Sequence, residues 1–191
     1  MNLREPLSTA SATMAGLVGA VKPDQLTATT PCAGFDVRGL VNHLINWAPT
    51  IESVGLRKSA VVDREAARRD HTGGGWQADY LAWLDRIEQA WSADAAWEGS
   101  ADVNGVVVPA RVIGEKTLVE LVVHGWDLAR ATGQEFHCGD AAAEQARRVI
   151  LETAEETRSL GMFGPELEAP ASATALERAL ACSGRDPAWS A

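Results

Sequence analysis

The chain has 191 residues, 46% of them hydrophobic, with 17 Lys+Arg against 26 Asp+Glu and a formal charge of −9. That length fits one ordinary domain with a sizeable core, and the apolar fraction excludes a disordered chain. The acidic balance excludes nucleic acid or an anionic membrane surface as the main partner, because both are bound chiefly through basic patches. Cys32, Cys138 and Cys182 cannot all pair internally and form no CxxC, which points to a reduced, intracellular setting. No window approaches ~18 uninterrupted apolar residues, so the expectation is a cytoplasmic protein without membrane contact.

Helical spacing dominates. Leu3, Leu7, Met14, Leu17, Val18 and Val21 predict a first amphipathic helix, closed by Pro23. TATTPCAGFD is loop by composition and places Asp36 to cap a second helix through Val37, Leu40, Val41, Leu44, Ile45, Ala48 and Ile51. Pro49 is expected to kink or end that helix. Residues 58–75, which include Gly73–Gly75, read as a long crossover. Helical spacing returns from Trp76 to Trp91 through Tyr80, Leu84 and Ile87.

DVNGVVVPA predicts a short hairpin or extended arm, ended by Pro109. A fourth helix contains LVELVVHGWDLARATG and stops at Gly133, a left-handed cap. A fifth runs from Ala141 to about Leu160, with Ala142, Ala146, Val149, Ile150 and Thr153 on one stripe, and SATALERALAC makes one more short helix. No internal repeat or dividing linker is evident, so residues 1–191 are expected to form a single all-α domain, a helical bundle with small additions.

Within the fourth helix Glu120 and His124 lie one turn apart among Leu118, Val119, Leu121, Val122, Val123, Trp126 and Leu128. An acid and an imidazole on one apolar face are either a helix-stabilising pair, a satisfied core histidine, or ligands. His43 in GLVNHLINW has similar surroundings on the second helix. Isolated buried imidazoles and carboxylates are costly, and sharing a cation is a common solution. His43, Glu120 and His124 would suit Zn²⁺ or a neighbouring divalent metal with a fourth position open; Ni, Fe and Mn are the other candidates. His71 and His137 lie in polar, Gly-containing stretches and are read as surface residues.

TTPCAGFDVRGLVNHL and LVELVVHGWDLARATG together resemble the two signature stretches of the mycothiol-dependent maleylpyruvate isomerase N-terminal family, within the DinB-like superfamily of metal-binding four-helix bundles. The resemblance runs from the first helix to the closing GRDPAW. It implies an up-down-down-up bundle with a long crossover between the second and third helices, and it puts the family's metal ligands on His43, Glu120 and His124. It also implies mycothiol as cosubstrate. The family's isomerase carries an additional C-terminal part that contributes to its substrate site, and a chain of this length is expected to lack it, which leaves the substrate open.

A dication with an open position can hold a thiol as thiolate at neutral pH and polarise a carbonyl. The expected activity is therefore thiol-dependent isomerisation or S-transfer on a small electrophile. The alternatives are hydrolysis of a small substrate through metal-bound hydroxide, for which no separate base is evident, and a non-catalytic bundle that binds a metal or ligand. Asp127 is expected either to orient a ligand imidazole or to pair with Arg130 or Arg38. Trp47 and Trp126 either line the pocket mouth or fill the core. Asn42 is given no role, and Cys32, without an activating neighbour in sequence, is read as part of the loop that sets the second helix. Trp76, Trp83, Trp91 and Trp97 could form a homodimer face or fill the core, and the hairpin could cover the pocket or join such a face.

Overall fold

The second helix begins as its capping residue predicts: the Asp36 carboxylate accepts the backbone N–H of Gly39 at 2.7 Å. The computed structural model describes residues 3–63, 65 and 68–190. Residues 64, 66 and 67 of the predicted crossover lie outside them. The described helices are α1 (Arg4–Ala20), α2 (Val37–Gly55), α3 (Trp76–Trp91), α4 (Ala110–Thr132), α5 (Asp140–Ser159) and α6 (Ala175–Cys182). Among the described residues no helix is long and apolar enough to cross a membrane.

The helix predictions from periodicity hold within a residue or two at most ends, because the apolar positions that define each stripe are the ones buried. Pro49 does not end α2, which continues to Gly55. Gly133 closes α4 with φ 69°. The Asn-Gly pair forms the turn of an antiparallel hairpin of β1 (Ser100–Val103) and β2 (Val106–Pro109), with φ 55° at Asn104 and 82° at Gly105. That double left-handed conformation is what a two-residue hairpin loop requires.

In the bundle α1 packs on α3 and α4, and α2 packs on the same two helices. The helices therefore run round the core in the order α1, α3, α2, α4, and the long segment between α2 and α3 joins neighbours, as an up-down-down-up bundle requires. α5 lies against α4 and α1, and α6 against α5. Of the four tryptophans in or near α3, two are core residues, and Trp83 and Trp97 are partly buried against that core. Trp76 and Trp91 are buried, the Trp91 and Trp97 rings meet edge to face at 4.8 Å, and Trp91 donates to the Ile51 carbonyl.

The crossover is pinned at both ends. Near its start Ala60 donates to the Asp102 carbonyl and accepts from Asn104, so the hairpin holds the crossover. Near its end Asp70 accepts from Arg38, Asn42 and both the N–H and hydroxyl of Thr72, while the His71 N–H bonds Asn42 and its ring meets Asn46. Arg38, Asn42 and Asn46 are one stripe of α2. Asn42 thus has a structural role that sequence reading did not give it. His71 is half-buried and bonded in place, while His137 is exposed as expected.

Two outcomes follow from these anchors. Asp36→Ala should cost about 1 kcal/mol in urea unfolding. Hydrogen bonds from Thr72, then Asn42 and Arg38, hold the Asp70 carboxyl well below the usual carboxylate range. Its contribution is therefore complete above about pH 4 and lost as pH falls further. Asp70→Asn should flatten the acid limb of a stability-versus-pH curve.

Candidate functional site

α2 and α4 are neighbours in the bundle, and their facing turns carry the imidazoles and the acid. His43 Nε2 lies 2.9 Å from Glu120 Oε2, and His124 Nε2 lies 3.3 Å from the same oxygen. The two rings meet edge to face at 5.1 Å between centroids. One carboxylate oxygen therefore faces two ring nitrogens.

Beneath this group His124 Nδ1 is 2.9 Å from Asp127 Oδ2. Asp127 is 0% exposed and accepts from Arg185 Nε at 3.3 Å and Nη2 at 3.1 Å, with Arg185 itself 6% exposed. Burial alone would lower the arginine's pKa, but Asp127 outweighs it and the guanidinium is held charged. A carboxylate facing Nδ1 keeps the ring proton there and turns the Nε2 lone pair toward Glu120. Burial alone would raise the Glu120 carboxyl, yet His124, then His43 and Arg185, outweigh it and hold the pKa at about 2. An ionised oxygen facing a bare ring nitrogen is satisfied when a proton or a cation lies between them.

Among the described residues two groups of side chains have the composition to hold a metal: His43, Glu120 and His124, and Cys32, His124 and Asp127, the ligand atoms of each set lying within 4.8 Å of one another. In the second group both Asp127 oxygens already serve Arg185 and His124. The first group has its ligand atoms turned toward a cavity of about 400 Å³. His43, Glu120, His124 and Arg185 form the polar part of its lining, and Phe35, Val119, Val123, Met162 and Phe163 its apolar walls. Phe35 tilts over the His43 ring at 5.5 Å.

The expected residues fall in different places. His43, Glu120 and His124 come together; Asp127 contacts His124 directly. Its cationic partner is Arg185, since Arg38 is taken by Asp70 and Arg130 by the Trp189 carbonyl. Neither Trp47 nor Trp126 lines the cavity. Trp126, two residues after His124, is turned into the core at 5% exposure, and Trp47 lies beside Tyr80 at 40%. The hairpin does not border the cavity either.

Sequence reading missed three contributors. Arg185 sits in the quoted GRDPAW, where its charge beside the apolar α6 was the available signal. Met162 and Phe163 carried no periodicity to mark them. Cys32 lies in the cavity wall. Burial pushes its thiol up to about 11, an effect Arg185 only partly offsets, so it is protonated at neutral pH and a poor nucleophile.

Removing one member of a buried ion pair leaves an uncompensated charge. Asp127→Ala should therefore lower the unfolding free energy by about 3–5 kcal/mol. Asp127→Leu combined with Arg185→Met should recover much of the loss in the same urea titration.

Comparisons with known proteins bear on the family and the fold. The sequence matches the family described as the mycothiol maleylpyruvate isomerase N-terminal domain over residues 7–129. It is 30% identical over 121 residues to uncharacterized proteins of two Mycobacterium tuberculosis strains, a match spanning 63% of this chain and 62% of each relative. The fold is similar to a crystal structure of the mycothiol-dependent maleylpyruvate isomerase, with TM-score 0.68, 15% identity, and 98% of this chain and 91% of that one covered. It is also similar to a histidine-to-alanine variant of that enzyme, with TM-score 0.65, 15% identity and coverages of 91% and 79%. The fold match covers 98% of this chain, so the segment after α4, which supplies Met162, Phe163 and Arg185, lies within it. With its bundle and family match extending from the first helix through Asp127, the chain belongs to the mycothiol maleylpyruvate isomerase N-terminal domain family.

Proposed function

We propose that His43, Glu120 and His124 hold a divalent cation, zinc first, with nickel, iron and manganese as the other candidates, and that the site uses mycothiol to isomerise or S-conjugate a small electrophile. The observation that carries this reading is the Glu120 oxygen set between two Nε2 atoms, one of them fixed from behind by Asp127. Two imidazoles and a carboxylate, with no fourth protein ligand in the group, suit a cation that keeps a position for an exogenous ligand. When bound, the cation supplies Lewis acidity and favours a thiol's thiolate form at neutral pH.

The protein's own residues do the rest. Asp127 holds the proton on His124 Nδ1 and so turns the Nε2 lone pair toward the donor set. Arg185 cancels the Asp127 charge, so the imidazole is oriented without adding a second negative group beside Glu120. The cavity of about 400 Å³ has room for the thiol end of a cosubstrate and a small electrophile, not for both molecules entire if the thiol carries a sugar conjugate.

Family membership supports mycothiol as the thiol. Hydrolysis would require a separate base beside a water. Among the described residues lining the cavity, His43, Glu120 and His124 are the ones with the chemistry for it, and all three belong to the donor set.

Loss of free thiol, followed with mycothiol and a panel of small electrophiles, tests the activity. Glu120→Gln and His124→Ala should each abolish thiol-dependent turnover while circular dichroism stays that of the wild type. A folded Glu120→Gln variant with wild-type turnover would contradict the reading.

A further inference from the structure

We infer that the electrophile served by this site has an uncharged, apolar body, so that a carboxylated or dicarboxylated substrate of maleylpyruvate's kind is disfavoured. The inference rests on the reading above for its chemistry, and on charge and shape for its content.

Among the described residues lining the cavity, Arg185 is the one cationic side chain. Its Nε and Nη2 are committed to Asp127, and Nη1 points to the Ser183 carbonyl at 3.4 Å. The arginine therefore balances a charge the protein already carries. The donor set contributes one further negative charge, that of Glu120. A dication leaves the site with one positive charge, which a thiolate cosubstrate cancels. A carboxylate on the electrophile would then enter a partly enclosed site whose net charge is already balanced and where no cationic side chain is free to meet it, and a second would worsen the imbalance.

The rest of the wall agrees. Phe35, Val119 and Val123 come from the bundle side, and Met162 and Phe163 from the segment after α5. That segment is fastened in place. Arg158 donates to the carbonyls of Gly164 and Cys182, and Leu167 donates to Ala181. Gly184, at φ 80°, lets the two backbones approach so closely that a Cβ there would lie 2.7 Å from the Gly164 Cα. Phe35 and Phe163 both line the cavity, and their aromatic surface suits a flat, apolar body.

For an aryl enone the reaction balances without an added oxidant or reductant. The thiol sulfur bonds to the β-carbon, the C=C pair moves toward the carbonyl, and the thiol's proton ends on the α-carbon, with nothing released.

The test separates binding from turnover. Isothermal titration of the protein as purified with benzylacetone, an unreactive aryl ketone, and with its ring-carboxylated analogue should show at least tenfold tighter binding of the uncharged compound. Met162 is half-exposed, and Met162→Arg should narrow the preference severalfold by placing a cation at the rim. Equal or tighter binding of the carboxylated compound overturns the inference, as does no binding of benzylacetone. Turnover of benzylideneacetone with mycothiol is read separately. A retained preference for benzylacetone with no turnover would support the cavity's selectivity and overturn the thiol chemistry.

Discussion

The site depends on a buried ion pair. Asp127 is fully inaccessible, and a carboxylate in that position is tolerable only because Arg185 meets it. Once charged, Asp127 can do what a neutral residue cannot: fix the tautomer and the angle of His124, and so decide which ring nitrogen faces Glu120. The pair joins the centre of α4 to the turn after α6. The C-terminal segment is thereby coupled to the imidazole, and the same segment brings Met162 and Phe163 over the cavity.

The bundle explains why the remaining pieces can be so local. α2 and α4 are direct neighbours, so one residue on the first and two residues a turn apart on the second are enough to gather three candidate ligands. The crossover between α2 and α3 lies on the outside of α2, held by Arg38, Asn42 and Asn46, and leaves the inner face to His43. Polar capacity on α2 is divided by helical phase. Residues 38, 42 and 46 hold the crossover, and residue 43 faces α4.

Much of this was legible in the sequence, for physical reasons. Apolar positions at helical spacing gave the helices, and the cost of burying Glu120, His124 and His43 singled them out before any contact was known. The Asn104–Gly105 turn and the Asp36 cap are short-range chemistry and were read correctly. Long-range pairing was not legible: Arg185 is 58 residues from Asp127, while Arg130 and Arg38 were closer or equally plausible partners on paper. Trp47 and Trp126 were ambiguous because an aromatic at helical spacing fits a core and a pocket equally well. Residues 161–164 have no period to read, since they are held by backbone bonds to the end of α5 and, at Gly164, by a close approach to Gly184. Pro49 does not end α2, which tertiary packing carries through to Gly55.

The cation site proposed on His43, Glu120 and His124 is open to measurement. Its most direct test is a titration of chelator-treated protein with zinc, followed by calorimetry and by metal analysis after dialysis. One equivalent per chain, absent in a folded Glu120→Gln variant and weakened roughly 10–100-fold in Asp127→Asn, is the predicted result. A wild-type protein that takes up no zinc, nickel, iron or manganese, or that binds as well without Glu120, would contradict it.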